Sequence, residues 1–356
     1  MKNGIIKNSF KKGGENYIEE LGNINNGNDY QETQRNNFDL SIPFEETKNK
    51  SNYKTIILHI HGGAWTAGDK TNVLKLNKDN SYNGFMAAAM SHTLLDGRYK
   101  EYNIYRVIDE IHAVLKAIKK FLIEKGYDGN KLEAILYGGF SGAHLCLLYS
   151  YMIKNPPIPI RFVINDVGPV NILPEDSLTT LPDVDALENI EPETIREAFE
   201  NGTIVQMNGT INGVVIDSVF NVRMMNGWVG KPLDDSLDEI FIDLGRKEIN
   251  KESPKYKELL KKIQFGFPDR YITKETIPTI CLYVGKDEYV GVAAYSLLKK
   301  KFTSCSNNNL TLAYFKYGHH NVYDDTTVYV ARALEKFIND FNDYMRKYLN
   351  SYKYNK

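Results

Sequence analysis

Four stretches of this chain carry residue types that work together in acyl chemistry. "YGGFSGAHL" (137–145) holds a hydroxyl, Ser141, among glycines where an apolar run gives way to a helix-like stretch. "YVGKDEYVG" (283–291) places Asp287 just past another apolar run, with Glu288 as its local competitor. "YGHHNVY" (317–323) supplies two imidazoles, and "HIHGGAWTAGD" (59–69) puts Gly62 and Gly63 at the end of a third run. A histidine can take the proton of a hydroxyl and return it to a leaving group. A carboxylate behind it holds the imidazole in the right tautomer. Backbone N–H groups left open by glycines stabilise an oxyanion, and losing one such donor typically costs about 3–4 kcal/mol.

Such groups need a scaffold that delivers them to one place, and the apolar pattern supplies one. "NNFDLSIPF" (37–45) alternates like a first edge strand, and "KTIILHIHGG" (54–63) reads as a buried strand. Apolar residues at helical spacing fill 107–131, with Gly126 at the end of the pattern. Strand "LEAILYGG" (132–139) is followed by a helix over 143–154, and "IRFVINDVGPV" (160–170) is a further strand. The pattern resumes with a strand over 276–288, a helix over 293–302, a strand over 310–320 and a long amphipathic helix over 328–349. Strands alternating with helices predict an α/β fold with a mostly parallel sheet and helices on both faces. Sites on such sheets form at the carboxyl ends of the strands, where all four stretches fall.

Two regions depart from that rhythm. Residues 1–36 are polar and rich in Asn and Gly, and we expect a loose N-terminal arm there. Between 171 and 270 acidic segments, a Gly/Val hairpin-like piece and "RMMNGWVGKP" replace the alternation, so we expect a cap or lid insertion within a domain of residues 37–350.

Composition narrows the partners. A net charge of −1 offers no basic field for nucleic acid. No stretch reaches the roughly 18 apolar residues of a membrane span, and the opening residues lack the apolar core of a secretory leader. Cys146, Cys281 and Cys305 show no metal-like spacing, and Cys146 and Cys281 lie in apolar runs. No HExxH or paired CxxC points to a metal. The expectation is a cytoplasmic chain with no cofactor and no metal, acting on a small molecule. His61 and His144 are expected to make structural hydrogen bonds.

The order nucleophile, acid, histidine along the chain matches the α/β-hydrolase arrangement. From about residue 37 to 349 the chain resembles α/β-hydrolases of the esterase/lipase group, including hormone-sensitive-lipase-like and kynurenine-formamidase-like enzymes. The resemblance rests on "FDLSIP" (38–43), "HGGAW" (61–65), "GGFSGAHL" (138–145), "GKDEYV" (285–290) and "GHH" (318–320). It implies Asp287 as the triad acid, His319 rather than His320 as the base, and oxyanion donors from the backbone of Gly63 and Ala64. It also implies carboxylic-ester hydrolysis, with an arylformamidase-like amidase sharing the same machinery.

The nucleophile turn leaves two registers open. With Gly139-Phe140-Ser141-Gly142-Ala143 as the turn, Ser141 is the nucleophile and Gly142 gives the third oxyanion N–H. With Gly138 and Gly142 as the flanking glycines of Gly-x-Ser-x-Gly, Phe140 takes the nucleophile's place and the chain is a catalytically silent binder. We take the first register as the working expectation and ask the structure to decide.

Overall fold

The computed structural model describes residues 5–9, 18–25, 35, 37–82, 84–98, 102–172, 209–211, 214–216, 218–284, 287, 289–290, 293–315 and 320. Its centre is a nine-stranded sheet in the order β1-β2-β3-β5-β4-β6-β7-β12-β13. The strands are β1 Ile5–Ser9, β2 Ile18–Asn25, β3 Asn37–Pro43, β4 Lys54–Ile60, β5 Met86–Met90, β6 Leu132–Gly139, β7 Ile160–Asp166, β12 Thr279–Val284 and β13 Leu310–Phe315. Two short hairpins lie outside the sheet, β8 Gly209–Ile211 with β9 Val214–Ile216, and β10 Phe241–Asp243 with β11 Glu248–Ile249. From β5 to β13 neighbouring strands run parallel, while β1, β2 and β3 continue the sheet antiparallel.

The parallel strands are buried on both faces, which is why they read as nearly unbroken apolar runs. In β4 Ile56, Ile57, Leu58 and Ile60 are all buried, as are Ala134, Ile135 and Leu136 in β6. The helices used below are α1 Phe44–Thr47, α2 Leu74–Tyr82, α3 Ile104–Glu124, α4 Ser141–Met152, α5 Ser218–Trp228, α6 Leu237–Ile240, α7 Pro254–Ile263 and α8 Ala293–Ser304. Helix α3 starts at Asn103, whose side chain accepts hydrogen bonds from the backbone N–H groups of Tyr105 and Arg106. Its apolar stripe of Ile104, Val107, Ile108, Ile111, Val114, Leu115, Ile118 and Leu122 is buried against the core. Helix α4 is buried almost all round, as an element sandwiched behind the sheet must be.

Three expectations change here. The segment 37–43 is not an edge strand, because β2 pairs with it on the side away from β5. Part of the N-terminal arm is ordered as β1 and β2, whose Asn and Gly content hid them, since low strand preference gives way to the hydrogen bonds that a sheet edge offers. Strand β5, "MAAAM", was missed because alanine is a helix former on propensity alone, yet every one of its residues is buried between β3 and β4. The expected closing helix over 328–349 lies outside the described residues, and so does most of the acidic run in 171–208. No helix among the described residues is long and apolar enough to cross a membrane.

Candidate active site

The turn between β6 and α4 carries Phe140 and Ser141. Strand β6 delivers the chain to Gly138, which pairs with Ile60 of β4 and Asn165 of β7, and to Gly139, opposite Asp166. The next residue, Phe140, has φ 51° and ψ −119°, and α4 begins immediately after it. Positive φ at a bulky non-glycine residue is a genuine outlier, with a strain of about 1–3 kcal/mol. The surroundings enforce it. Phe140 N–H donates to the Asp166 carbonyl at 2.9 Å, and its own carbonyl accepts from His144 N–H at 3.1 Å.

Two glycines flank that vertex by necessity. A Cβ on Gly138 would lie 2.3 Å from the Gly142 carbonyl carbon, and one on Gly142 would lie 2.2 Å from the Ile60 carbonyl oxygen. A Cβ on Gly139 would meet nothing within 4 Å. The two glycines with no room for a Cβ are thus Gly138 and Gly142, and Phe140 stands midway between them at the vertex.

Ser141, expected to be the nucleophile, stands one residue past the vertex as the first residue of α4. It is fully buried, and its Oγ has no hydrogen-bond partner. The close approach of β6 and α4 rests on Gly138 and Gly142, with Phe140 midway between them. The N–H following the vertex is that of Ser141, while Gly142 lies one step deeper, pressed against Ile60 and His61. A Ser141→Ala substitution should accordingly be tolerated, with the melting midpoint unchanged or raised, because it removes a buried hydroxyl that nothing satisfies. Differential scanning calorimetry checks this, and a fall of several degrees would show that the hydroxyl has a partner after all.

Asp287 and an imidazole do meet. Nδ1 of His320 donates to the Asp287 carboxylate, lying 2.9 Å from both oxygens. Asp287 Oδ1 also accepts the N–H groups of Tyr289 and Val290, each at 2.8 Å, which fixes the carboxylate at the end of β12. The histidine expected for this role, His319, lies outside the described residues, and the ring that engages Asp287 is that of its neighbour.

What the imidazole faces is aromatic. The Phe140 ring meets the His320 ring edge to face at 4.8 Å, and Tyr289 does the same at 4.7 Å. Phe140 is only 5% exposed. Asp166 adds a second carboxyl beside this pair. Burial raises its pKa to about 7, with His320 pulling down and Asp287 pushing up, and its Oδ1 is enclosed without a partner.

The oxyanion loop is tightly built. Gly63 takes φ 115°, and Ala64 and Trp65 follow at 50° and 62°. A Cβ on Gly63 would lie 2.2 Å from the Ala67 carbonyl oxygen. The Gly63 carbonyl accepts from Thr66 and Ala67 N–H, at 3.0 and 2.9 Å. Gly62 lies beneath the vertex, its missing Cβ 3.4 Å from Cβ of Phe140, so the loop and the elbow touch. Beneath the loop, Arg35 donates to the carbonyls of Gly68 and His92. His61 Nδ1–H donates to the Gly62 carbonyl at 2.7 Å, and its ring stacks on His92 at 4.1 Å. Above the loop, Trp65 Nε1–H donates to His144 Nδ1 at 3.2 Å, and His144 Nε2–H donates to the Gly266 carbonyl at 2.8 Å. His61 and His144 thus have the structural roles expected of them.

These histidines are buried neutral. Desolvation lowers His59 to about 3, and His61 and His144 to about 4, from 6.5. A depressed folded-state pKa means that the unfolded chain takes up protons first, so stability is lost as pH falls from about 6.5 towards 4. Asp166 acts in the opposite sense, since its raised pKa favours the protonated folded state. His92 is lowered by burial as well, while Glu110 and Asp269 are raised by it like Asp166. With four histidines against three carboxyls, the melting midpoint should drop between pH 7 and pH 4.5. A thermal scan at both values tests the sign.

Comparison with known proteins bears on the fold. The BD-FAE family model matches residues 39–201. A truncated carbohydrate esterase from gut microbiota superposes with TM-score 0.53 at 14% identity, over 90% of this chain and 95% of that one. Inhibited esterase B from Lactobacillus rhamnosis gives 0.54 at 12% identity, over 94% and 90%. Butyrate-bound esterase Est2 from Thermogutta terrifontis gives 0.50 at 13% identity, over 97% and 94%. No curated protein matches the chain. At such identities the shared property is the fold. This chain has the α/β-hydrolase fold, and the solved structures it superposes on are esterases.

Proposed function

We propose that this protein binds an ester or related carbonyl ligand in an esterase-type site and does not form a serine acyl-enzyme. The observation that carries the reading is Phe140 at φ 51°, its ring 4.8 Å from the His320 ring. The Asp287–His320 pair, the Gly62–Trp65 loop and the N-terminus of α4 remain as they would be needed to receive a polarised carbonyl. The missing part is a hydroxyl at the vertex. Knocking out a triad serine typically removes about 10⁶-fold of rate, leaving the share that comes from oxyanion binding. Helix α5, whose Trp228 meets Trp65 at 5.1 Å, serves in this reading as part of a cap that selects the ligand.

A second reading keeps turnover without a covalent intermediate. The intact Asp287–His320 pair favours it, because an oriented imidazole can deprotonate water directly. One experiment separates the two. The chain is mixed with 4-nitrophenyl butyrate while tryptophan fluorescence and phenolate release are followed together. Saturable quenching with release no faster than buffer supports binding alone. Release without a burst, abolished by His320→Gln, supports the water route. A burst of phenolate equal to the enzyme concentration overturns both.

A further inference from the structure

Helix α5 carries polar groups that the fold itself does not use. Asn221 is 1% exposed, and neither its Oδ1 nor its Nδ2 has a hydrogen-bond partner. Trp228 is fully buried, and its indole N–H is equally unpartnered. Seven residues is close to two helical turns, so the two side chains share one face of α5, with Met225 between them. That face ends on the oxyanion loop, where Trp228 meets Trp65 edge to face at 5.1 Å and stacks on His144 at 4.8 Å.

The same helix carries a second buried carboxamide, which the fold uses on one side. Asn226 Nδ2 donates to the carbonyls of Leu233 and Asp235, at 3.0 and 2.9 Å, while its Oδ1 is also without a partner. Asn221 has no counterpart to these bonds. A buried amide left unpaired forfeits its hydration for nothing, and leucine, with the same branching and number of side-chain heavy atoms, would avoid the cost. Buried groups of this kind make sense where a ligand supplies the partner. A carboxamide offers two donors and an acceptor, and an indole offers one donor. Neither is charged, so the partner they suit is neutral and can both accept and donate.

We infer that Asn221 and Trp228 recognise free hydroxyl groups on the alcohol part of the ester ligand. This rests on the ligand-binding reading above. Because both groups are enclosed, α5 must move off Trp65 when the ligand enters. The chain has two tryptophans, and both belong to this contact, so their fluorescence reports the event directly.

The test titrates the full chain, by tryptophan fluorescence, with two esters of one acid: monobutyrin, with two free hydroxyls, and ethyl butyrate, with none. Monobutyrin should bind about tenfold tighter or more, the scale of one or two satisfied hydrogen bonds. Asn221→Leu should erase that ratio while raising the melting midpoint, because it removes an unsatisfied group. Asn221→Ala, which makes no steric demand, should erase the ratio as well. Equal affinities in the natural chain, or a ratio that survives both substitutions, would overturn the inference and leave the ligand-binding reading standing. Failure of both esters to bind would instead remove that reading and the inference with it.

Discussion

Phe140→Ser gains esterase turnover over the natural chain by about 10⁴-fold or more, measured as initial rates on 4-nitrophenyl esters. The reasoning is geometric. The vertex backbone is already in the strained conformation that presents a nucleophile, with φ 51° and ψ −119°. The Asp287–His320 pair is assembled at 2.9 Å, and the loop carrying Gly63 and Ala64 touches the vertex through Gly62. Serine is the side chain that this conformation serves, and restoring it returns the step whose loss typically costs about 10⁶-fold. Phe140→Ala is the control, since it opens the same space without a hydroxyl and should gain nothing. Removing a buried ring usually costs about 3–5 kcal/mol, and relief of strain at the vertex offsets part of that. If the serine variant folds and stays as slow as the alanine variant, the site lacks more than its nucleophile.

The second prediction concerns stability and tests the register independently of activity. Gly138→Ala and Gly142→Ala should each lower stability by about 3 kcal/mol or prevent folding, because their Cβ atoms would lie 2.3 and 2.2 Å from backbone. Gly139→Ala should be nearly silent, within about 0.5 kcal/mol, because nothing lies within 4 Å of its Cβ. Had Ser141 been the vertex, Gly139 would be the intolerant glycine. Urea denaturation of the three variants distinguishes the registers, and an intolerant Gly139 beside a tolerant Gly138 would contradict the account.

Much of the scaffold was legible because its strands are buried on both faces. Runs such as "KTIILHI" and "LEAILYGG" can hardly be anything else between polar turns. Helix α3 announced itself by its apolar spacing. Strand β5 did not, since "MAAAM" has no β-branched residue and owes its conformation to the strands on either side. The polar edge strands β1 and β2 were hidden for a related reason, having little apolar pattern to show. At the site, the positions of the four loops followed from the sequence, and the identities of the groups within them did not. Both registers of "GGFSGAHL" place small residues around the turn. Backbone approaches backbone at Gly138 and Gly142, a contact far below the resolution of residue patterns. The unpartnered Asn221 had no sequence signal, because an asparagine in a polar insertion looks ordinary until its burial is known.

The central claim is that no serine hydroxyl of this chain is activated by the Asp287–His320 pair. Intact-protein mass spectrometry after exposure to a fluorophosphonate tests it most directly. The account predicts no adduct on the natural chain and a single adduct, mapped to position 140, on Phe140→Ser. An adduct on Ser141 of the natural chain would contradict it.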